Sequence, residues 1–455
     1  MKLVGKRAFI LLIICILFFV GMVFFLITYF KNAPTWASSV WNKHIFTSGE
    51  LVNAGEISDI NNNILAYSEA GERRFNDDQL TREALMHLVG DGNGNIATSL
   101  QTTYRSNLVG WNFFSGVNSF GNSIGNNIQT TVDADVAREA YSALRGTKGT
   151  IGIMNYKTGD ILCMVSSPSF DPSDPPDVES DPERYDGVYI NRLLSAKYTP
   201  GSIFKLVTSA AALNEIAGIE NRTFECSGSK IITGGEIICT HAHGTQTFTQ
   251  ALVNSCNVAF AEMAVEIGPS KMTQYAKDAG LNTKLSLGHI DITTGVFDLA
   301  KADDLAVAWA GVGQYETLIN PLSYLQYVAS IANDGKTVSP NIIDSIETQG
   351  GFPASIDINL PDGNSMSLET ARELQKMMRS CVTDNYGEGG LAGYNMSAKT
   401  GTAEVGEGKD PHSWYCGFLN SAEAPLAFIV IVENGGHGNT SAYDVAIRAL
   451  SAAIE

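Results

Sequence analysis

The strongest pattern in the chain stands at its start. Residues 8–30 (AFILLIICILFFVGMVFFLITYF) run for 23 positions without a charge. A helix of that length crosses a hydrocarbon core of about 30 Å. Lys2, Lys6 and Arg7 precede the run and Lys31 follows it. This bias predicts a cytoplasmic tail at residues 1–7 and an extracytoplasmic remainder. A cleaved signal peptide is the competing reading. It would have a shorter apolar core, about 7–15 residues, ending in a small-residue cleavage box. Thr35-Trp36-Ala37 is a poor box, so an uncleaved single-pass anchor is expected.

Residues 31–127 carry no sustained period. Short apolar runs alternate with Asn, Gly and Ser, and Gly90-Asp91-Gly92-Asn93-Gly94-Asn95 reads as a loop. This stretch is read as a small pedestal module. Regular patterning begins near residue 128. Residues 133–145 (DADVAREAYSALR) have helical periodicity, with Asp133 as the cap. Residues 150–155 and 161–165 read as two strands joined by a turn at 156–160. A Pro-rich loop follows. Pro200-Gly201 then opens a helical run at 202–216. Further on, 415–419 and 427–432 read as paired strands and 441–454 as a terminal helix. Strands, many helices, then strands and a helix predict an α+β domain over 128–455, an antiparallel sheet covered by helices from mid-chain.

Composition narrows the function. Of 455 residues, 44% are hydrophobic and 17% charged, enough for a real core. The net charge of −18, without a basic cluster, argues against a nucleic-acid partner.

Three short motifs offer chemistry. In Ser202-Ile203-Phe204-Lys205 the serine and lysine are three apart and share a helix face. A serine hydroxyl needs a base before it attacks. Lys205 serves only if neutral, and bringing its pKa near 7 costs about 4–5 kcal/mol. Burial and a second cation supply that shift. In Ser255-Cys256-Asn257 the two polar side chains flank one residue, a proton relay beside an amide that can donate to a substrate carbonyl and accept from an amine. Lys399-Thr400-Gly401-Thr402 reads as a strand start. Gly401 would leave the strand face bare for an approaching peptide, and Lys399, Thr400 and Thr402 are suited to a carboxylate. Each motif alone also fits a surface helix, a cap or a turn.

Their combination is more specific. Ser-x-x-Lys, Ser-x-Asn and Lys-Thr-Gly stand in that order, 53 and 144 positions apart. The order is the signature of penicillin-binding proteins and β-lactamases. The chain resembles class B penicillin-binding proteins, close to the penicillin-binding-protein-A group. The blocks GTIGIMNYKTGDILCMVSSPSFDP, YTPGSIFKLVTSAAAL, HGTQTFTQALVNSCNVAF, SAKTGTAE and HSWYCGFL carry the resemblance. It implies a penicillin-binding transpeptidase/β-lactamase-like fold with an all-helical subdomain. It implies Ser202 as nucleophile on the D-Ala-D-Ala carbonyl of a peptidoglycan stem peptide, Lys205 as base and Ser255 as relay. Asn257 would clamp substrate, Lys399, Thr400, Gly401 and Thr402 would receive its carboxylate end, and the amides of Ser202 and Thr402 would form the oxyanion hole. β-Lactams would acylate the same serine. No cofactor is implied. With no glycosyltransferase signature before residue 128, a separate polytopic polymerase would supply lipid-linked glycan strands.

Two features fit less well. The family's membrane-proximal Arg-Gly-x-Ile-x-Asp-Arg-Asn-Gly pattern stands here as residues 54–62, AGEISDINN, without either arginine. That puts the packing of the pedestal in question. Cys226 and Cys239 bracket a Gly-rich loop, and both a disulfide and two free thiols suit that spacing. Cys239-Thr240-His241-Ala242-His243 has metal-like residues, but a closed site needs about four ligands. With no second cluster visible along the chain, no metal is expected. Two other readings remain: a D,D-carboxypeptidase or β-lactamase with water as acceptor, and a β-lactam receptor without turnover.

Overall fold

In a computed structural model, the apolar run forms helix α1, Lys2–Ala37. The structure describes residues 2–39, 41, 45–47, 50–112, 116–117, 125–354, 361–406, 408–436 and 442–455. Helix α1 is the one described helix long and apolar enough to cross a membrane, and its apolar side chains face outward all round. Much of the Gly/Asn/Ser-rich stretch between residues 110 and 127 lies outside the described residues.

The catalytic-type domain is organised by a five-stranded antiparallel sheet. Its strands are β1 (Gly149–Asn155), β2 (Ile161–Ser167), β3 (Met396–Ala403), β4 (His412–Leu419) and β5 (Leu426–Val432), in the order β3-β4-β5-β1-β2. Strand β5 (LAFIVIV) is buried at every position, which is why it is apolar throughout rather than alternating. Helices α3 (Ala134–Leu144) and α8 (Ala442–Ile454) pack together on the sheet. Asp133 caps α3 by accepting from the amides of Asp135 and Val136. Helices α6 (Pro321–Ala332) and α7 (Leu368–Cys381) pack against each other and also on the sheet. Between β2 and α6 lie α4 (Lys205–Glu215) and α5 (Asn257–Ile267) in a helix-rich region with small hairpins. Strand β3 stands at the edge of the sheet.

The expected helix at 202–216 is corrected. Residues Gly201–Phe204 form a 3₁₀ turn, and the α-helix begins at Lys205. Gly201 opens this turn. Its φ of +55° is left-handed, and its amide donates to the Gly313 carbonyl at 2.9 Å. A Cβ there would come within 2.2 Å of the Thr402 carbonyl oxygen, so only glycine lets the turn lie against β3.

A second five-stranded sheet joins the N-terminal region to the domain. Strand Asn127–Thr130 pairs with Ile57–Ser58 on one side and with Ile343–Glu347 on the other. Helix α2 (Gln79–Val89) adds a bidentate ion pair, with Arg82 holding Asp171 at 2.6 and 2.7 Å. The segment lacking the two family arginines is held by other charges. Buried Asp59 accepts from the amides of Asn61, Asn63 and Ala134 and from the Asn63 side chain. Arg73, itself buried, donates to the carbonyls of Ala54 and Gly55 and to Gln101. Asp59→Ala leaves four donors without an acceptor. It is expected to lower unfolding free energy by about 2–3 kcal/mol, read by denaturant titration.

Candidate active site

Ser202 sits in the 3₁₀ turn and Lys205 at the first residue of α4. The turn packs against β3, where Lys399, Thr400, Gly401 and Thr402 lie in sequence. Gly401 is needed there, but for a different reason than an open strand face. A Cβ would meet Ile203 at 2.9 Å, the Pro200 carbonyl at 3.1 Å and Trp414 at 3.1 Å. The backbone that approaches Gly401 is that of the serine turn. Trp414 secures the approach by donating to the Thr199 carbonyl at 3.0 Å.

The second motif meets the first at the lysine amine. Lys205 Nζ lies 3.1 Å from Ser202 Oγ, 3.1 Å from Ser255 Oγ, 2.6 Å from the Ser255 carbonyl and 2.7 Å from Asn257 Oδ1. Two of these four, the carbonyl and the amide oxygen, can only accept. They fix two N–H bonds of the amine. What remains of the nitrogen points to two hydroxyls, each able to donate. Lys205 is fully buried. Burial first, and the Lys399 charge second, push its pKa down from 10.5 to about 7. A neutral amine at that position has its lone pair directed at Ser202 and Ser255.

Ser255 Oγ also lies 3.3 Å from Lys399 Nζ, so one hydroxyl bridges the two amines. Its backbone adopts φ +53°, left-handed for a non-glycine residue. Asn257 opens α5 and turns its Nδ2 to the Ile238 carbonyl at 2.7 Å. The amide thus accepts from Lys205 as expected, while one of its donor bonds is spent on the protein. A cleft of about 720 Å³ opens here, lined by Ser202, Ser255, Asn257, Thr400, Thr402 and Trp309 among others.

A model of the penicillin-binding protein transpeptidase domain matches residues 149–452. The chain belongs to this family. Peptidoglycan D,D-transpeptidase PbpA of Mycolicibacterium smegmatis is 30% identical over 342 residues, covering 69% of this chain and 68% of that protein. Stage V sporulation protein D of Bacillus subtilis is 30% identical over 295 residues, covering 62% of this chain and 44% of that protein. The solved structure of penicillin-binding protein A from M. tuberculosis as a ceftriaxone acyl-enzyme is similar with a TM-score of 0.79. It is 25% identical and covers 88% of this chain and 98% of that one.

In this penicillin-binding transpeptidase domain, one site residue escapes any motif. Tyr386 ends a π-turn that follows α7. Its hydroxyl lies 3.1 Å from Lys399 Nζ and 3.0 Å from Thr400 Oγ1, and the Thr400 amide points to it at 3.4 Å. The ring also lies beside the Lys399 ammonium, 5.8 Å from centroid to nitrogen. It therefore fixes the head of the Lys-Thr-Gly strand. Nothing in its local sequence marks this role, because the contact spans a turn and a strand edge.

Of the two readings left open for the cysteine pair, the structure has the thiols unbridged. Cys226 and Cys239 are free. Cys226 Sγ faces His243 Nδ1 at 3.4 Å, and Cys239 Sγ faces Cys256 Sγ at 3.8 Å. Spacing along the chain shows no companion for the Cys239–His243 segment, but the fold brings Cys226 and Cys256 beside it.

Two outcomes are expected. The rate of acylation by a penicillin should rise about tenfold per pH unit below pH 7 and level off above it, as Lys205 loses its proton. Stopped-flow acylation across pH 5–9 with a pH-insensitive β-lactam measures this, and a flat profile contradicts it. Tyr386→Phe should slow acylation about three- to tenfold and lower unfolding free energy by about 1–3 kcal/mol, since it removes hydrogen bonds of about 1 kcal/mol each; penicillin-labelling rates and denaturant titration measure the two effects.

Proposed function

We propose that the chain is a membrane-anchored serine D,D-transpeptidase that crosslinks peptidoglycan stem peptides and binds β-lactams covalently at Ser202. The observation that carries this reading is the Lys205 amine, buried, with two N–H bonds held by acceptors and Ser202 Oγ at 3.1 Å. Lys205 takes the Ser202 proton as Oγ attacks the penultimate D-Ala carbonyl. Ser255 relays that proton to the leaving amine of the terminal D-Ala, and the peptide C–N bond breaks. An amine on a neighbouring stem then attacks the ester, restores the Ser202 hydroxyl and leaves a new amide.

Asn257 orients the lysine and faces the donor peptide. Lys399, Thr400 and Thr402 take the substrate carboxylate, and Gly401 admits the serine turn to β3. The amides of Ser202 and Thr402 stabilise the oxyanion. A peptide lying along the open edge of β3 suits this arrangement. The charges flanking α1 favour an N-terminus in the cytoplasm, a single crossing, and the domain on the outer side, where lipid-linked strands are polymerised. A separate polytopic glycan polymerase would make those strands. Residues 31–127 serve as the pedestal that lifts the site from the membrane.

Labelling the full chain with a fluorescent penicillin, followed by peptide mapping, should place the label on Ser202. Ser202→Ala should abolish both the label and the crosslinked dimer made from lipid-linked strands. A label elsewhere would overturn the nucleophile. Rapid release of hydrolysed penicillin, with no dimer, would favour water as the acceptor.

A further inference from the structure

Four potential metal ligands converge immediately behind the active site. Cys226, Cys239, His243 and Cys256 place one ligand atom each within 4.8 Å of all the others. The three cysteines are buried. They come from separate elements: Cys226 ends the strand Thr223–Cys226, Cys239 follows the hairpin strand Gly235–Ile238, and Cys256 caps α5. His243 precedes the strand Gly244–Thr247, which pairs with the Cys226 strand.

Two of the six ligand–ligand spacings can be set against the geometry of a zinc site. A tetrahedral zinc with bonds of about 2.3 Å to sulfur and about 2.0 Å to nitrogen sets sulfur–sulfur edges of about 3.8 Å and sulfur–nitrogen edges of about 3.5 Å. The Cys239–Cys256 edge is 3.8 Å and the Cys226–His243 edge is 3.4 Å. A disulfide would need the sulfurs about 2.05 Å apart. The surroundings also suit thiolates. The amides of Asn257 and Val258 donate to Cys239 Sγ at 3.1 and 3.3 Å, and that of Ala259 is aimed at Cys256 Sγ at 3.5 Å. These amides open α5, whose positive end favours the net negative charge of a three-thiolate site. Nε2 of His243 is buried with no hydrogen-bond partner.

We infer that Cys226, Cys239, His243 and Cys256 form a closed, structural zinc site that holds the Ser255-Cys256-Asn257 segment in place. Three soft thiolates and one imidazole in a tetrahedron select zinc over calcium or magnesium. Binding Zn²⁺ displaces one proton from each thiol and leaves the imidazole neutral. The site has no open position for water, so it does no chemistry. Its effect is mechanical. Cys256 is the middle residue of the active-site motif, and the Asn257 amide donates to the ligand Cys239 while its side chain holds Lys205.

The test uses the full chain in detergent, purified with mild reductant and without chelator. Elemental analysis is expected to find one zinc per chain. After stripping, cobalt should restore tetrahedral d–d bands and a thiolate-to-cobalt charge-transfer band. Cys226→Ser and His243→Ala, both outside the active-site motif, should weaken zinc binding by about tenfold or more. Stripping should slow labelling by fluorescent penicillin about tenfold, with recovery on adding zinc. A wild-type chain that holds no zinc and gives no cobalt bands overturns the site, as does a Cys226–Cys239 disulfide in the unreduced protein. Unchanged labelling after verified removal of zinc overturns the positioning role. Metal content is read independently of acyl transfer, so this outcome and the transpeptidase reading can fail separately.

Discussion

A lysine amine sealed from water must find its polar partners inside the protein. Lys205 finds four oxygens, from three residues on two segments of chain. A fully charged ammonium at that depth would lose its hydration beside a second cation, Lys399, and both effects bring its pKa down to about 7. The two carbonyl-type acceptors then matter more than the two hydroxyls. They decide which way the amine faces, and so turn the rest of the nitrogen toward the hydroxyls of Ser202 and Ser255. The rest of the domain follows from keeping these atoms in register.

Close backbone approach supplies that register. The serine turn rests on β3 with Gly201 and Gly401 at the contact, and Gly313 from the other side leaves room for the Gly201 carbonyl. Each substitution by a larger residue would push serine and strand apart. Strand β3 keeps one edge unpaired because it lies last in the sheet. The order of strands thus determines both where the serine turn is anchored and which edge of the sheet stands open beside it.

Much of this was legible along the chain. The uncharged run of α1, the all-apolar β5 and the Asp133 cap of α3 are local patterns with local causes, and they appear in the structure where they were expected. The three motifs were legible because their order is distinctive, although no spacing shows that Ser202, Ser255 and Lys399 meet. The features that were not legible arise from contacts between distant segments. Tyr386 reaches Lys399 through a π-turn. The 3₁₀ turn at Gly201–Phe204 delays the start of what reads as continuous helix. Arg73 reaches the carbonyls of Ala54 and Gly55 from a strand about twenty positions further on, which no local pattern marks. Cys226, Cys239, His243 and Cys256 stand 13, 4 and 13 positions apart, and strand pairing brings Cys226 beside His243 while the start of α5 brings Cys256 beside Cys239.

Ser255 carries a consequence of another kind. Its φ of +53° is a conformation that glycine adopts without cost and serine does not. Glycine at this position would relieve the backbone cost but would lose the hydroxyl contacts to Lys205 and Lys399. The backbone cost falls on the residue whose hydroxyl lies within 3.3 Å of both lysine amines, so the geometry of the fold and that of the site meet at a single φ angle.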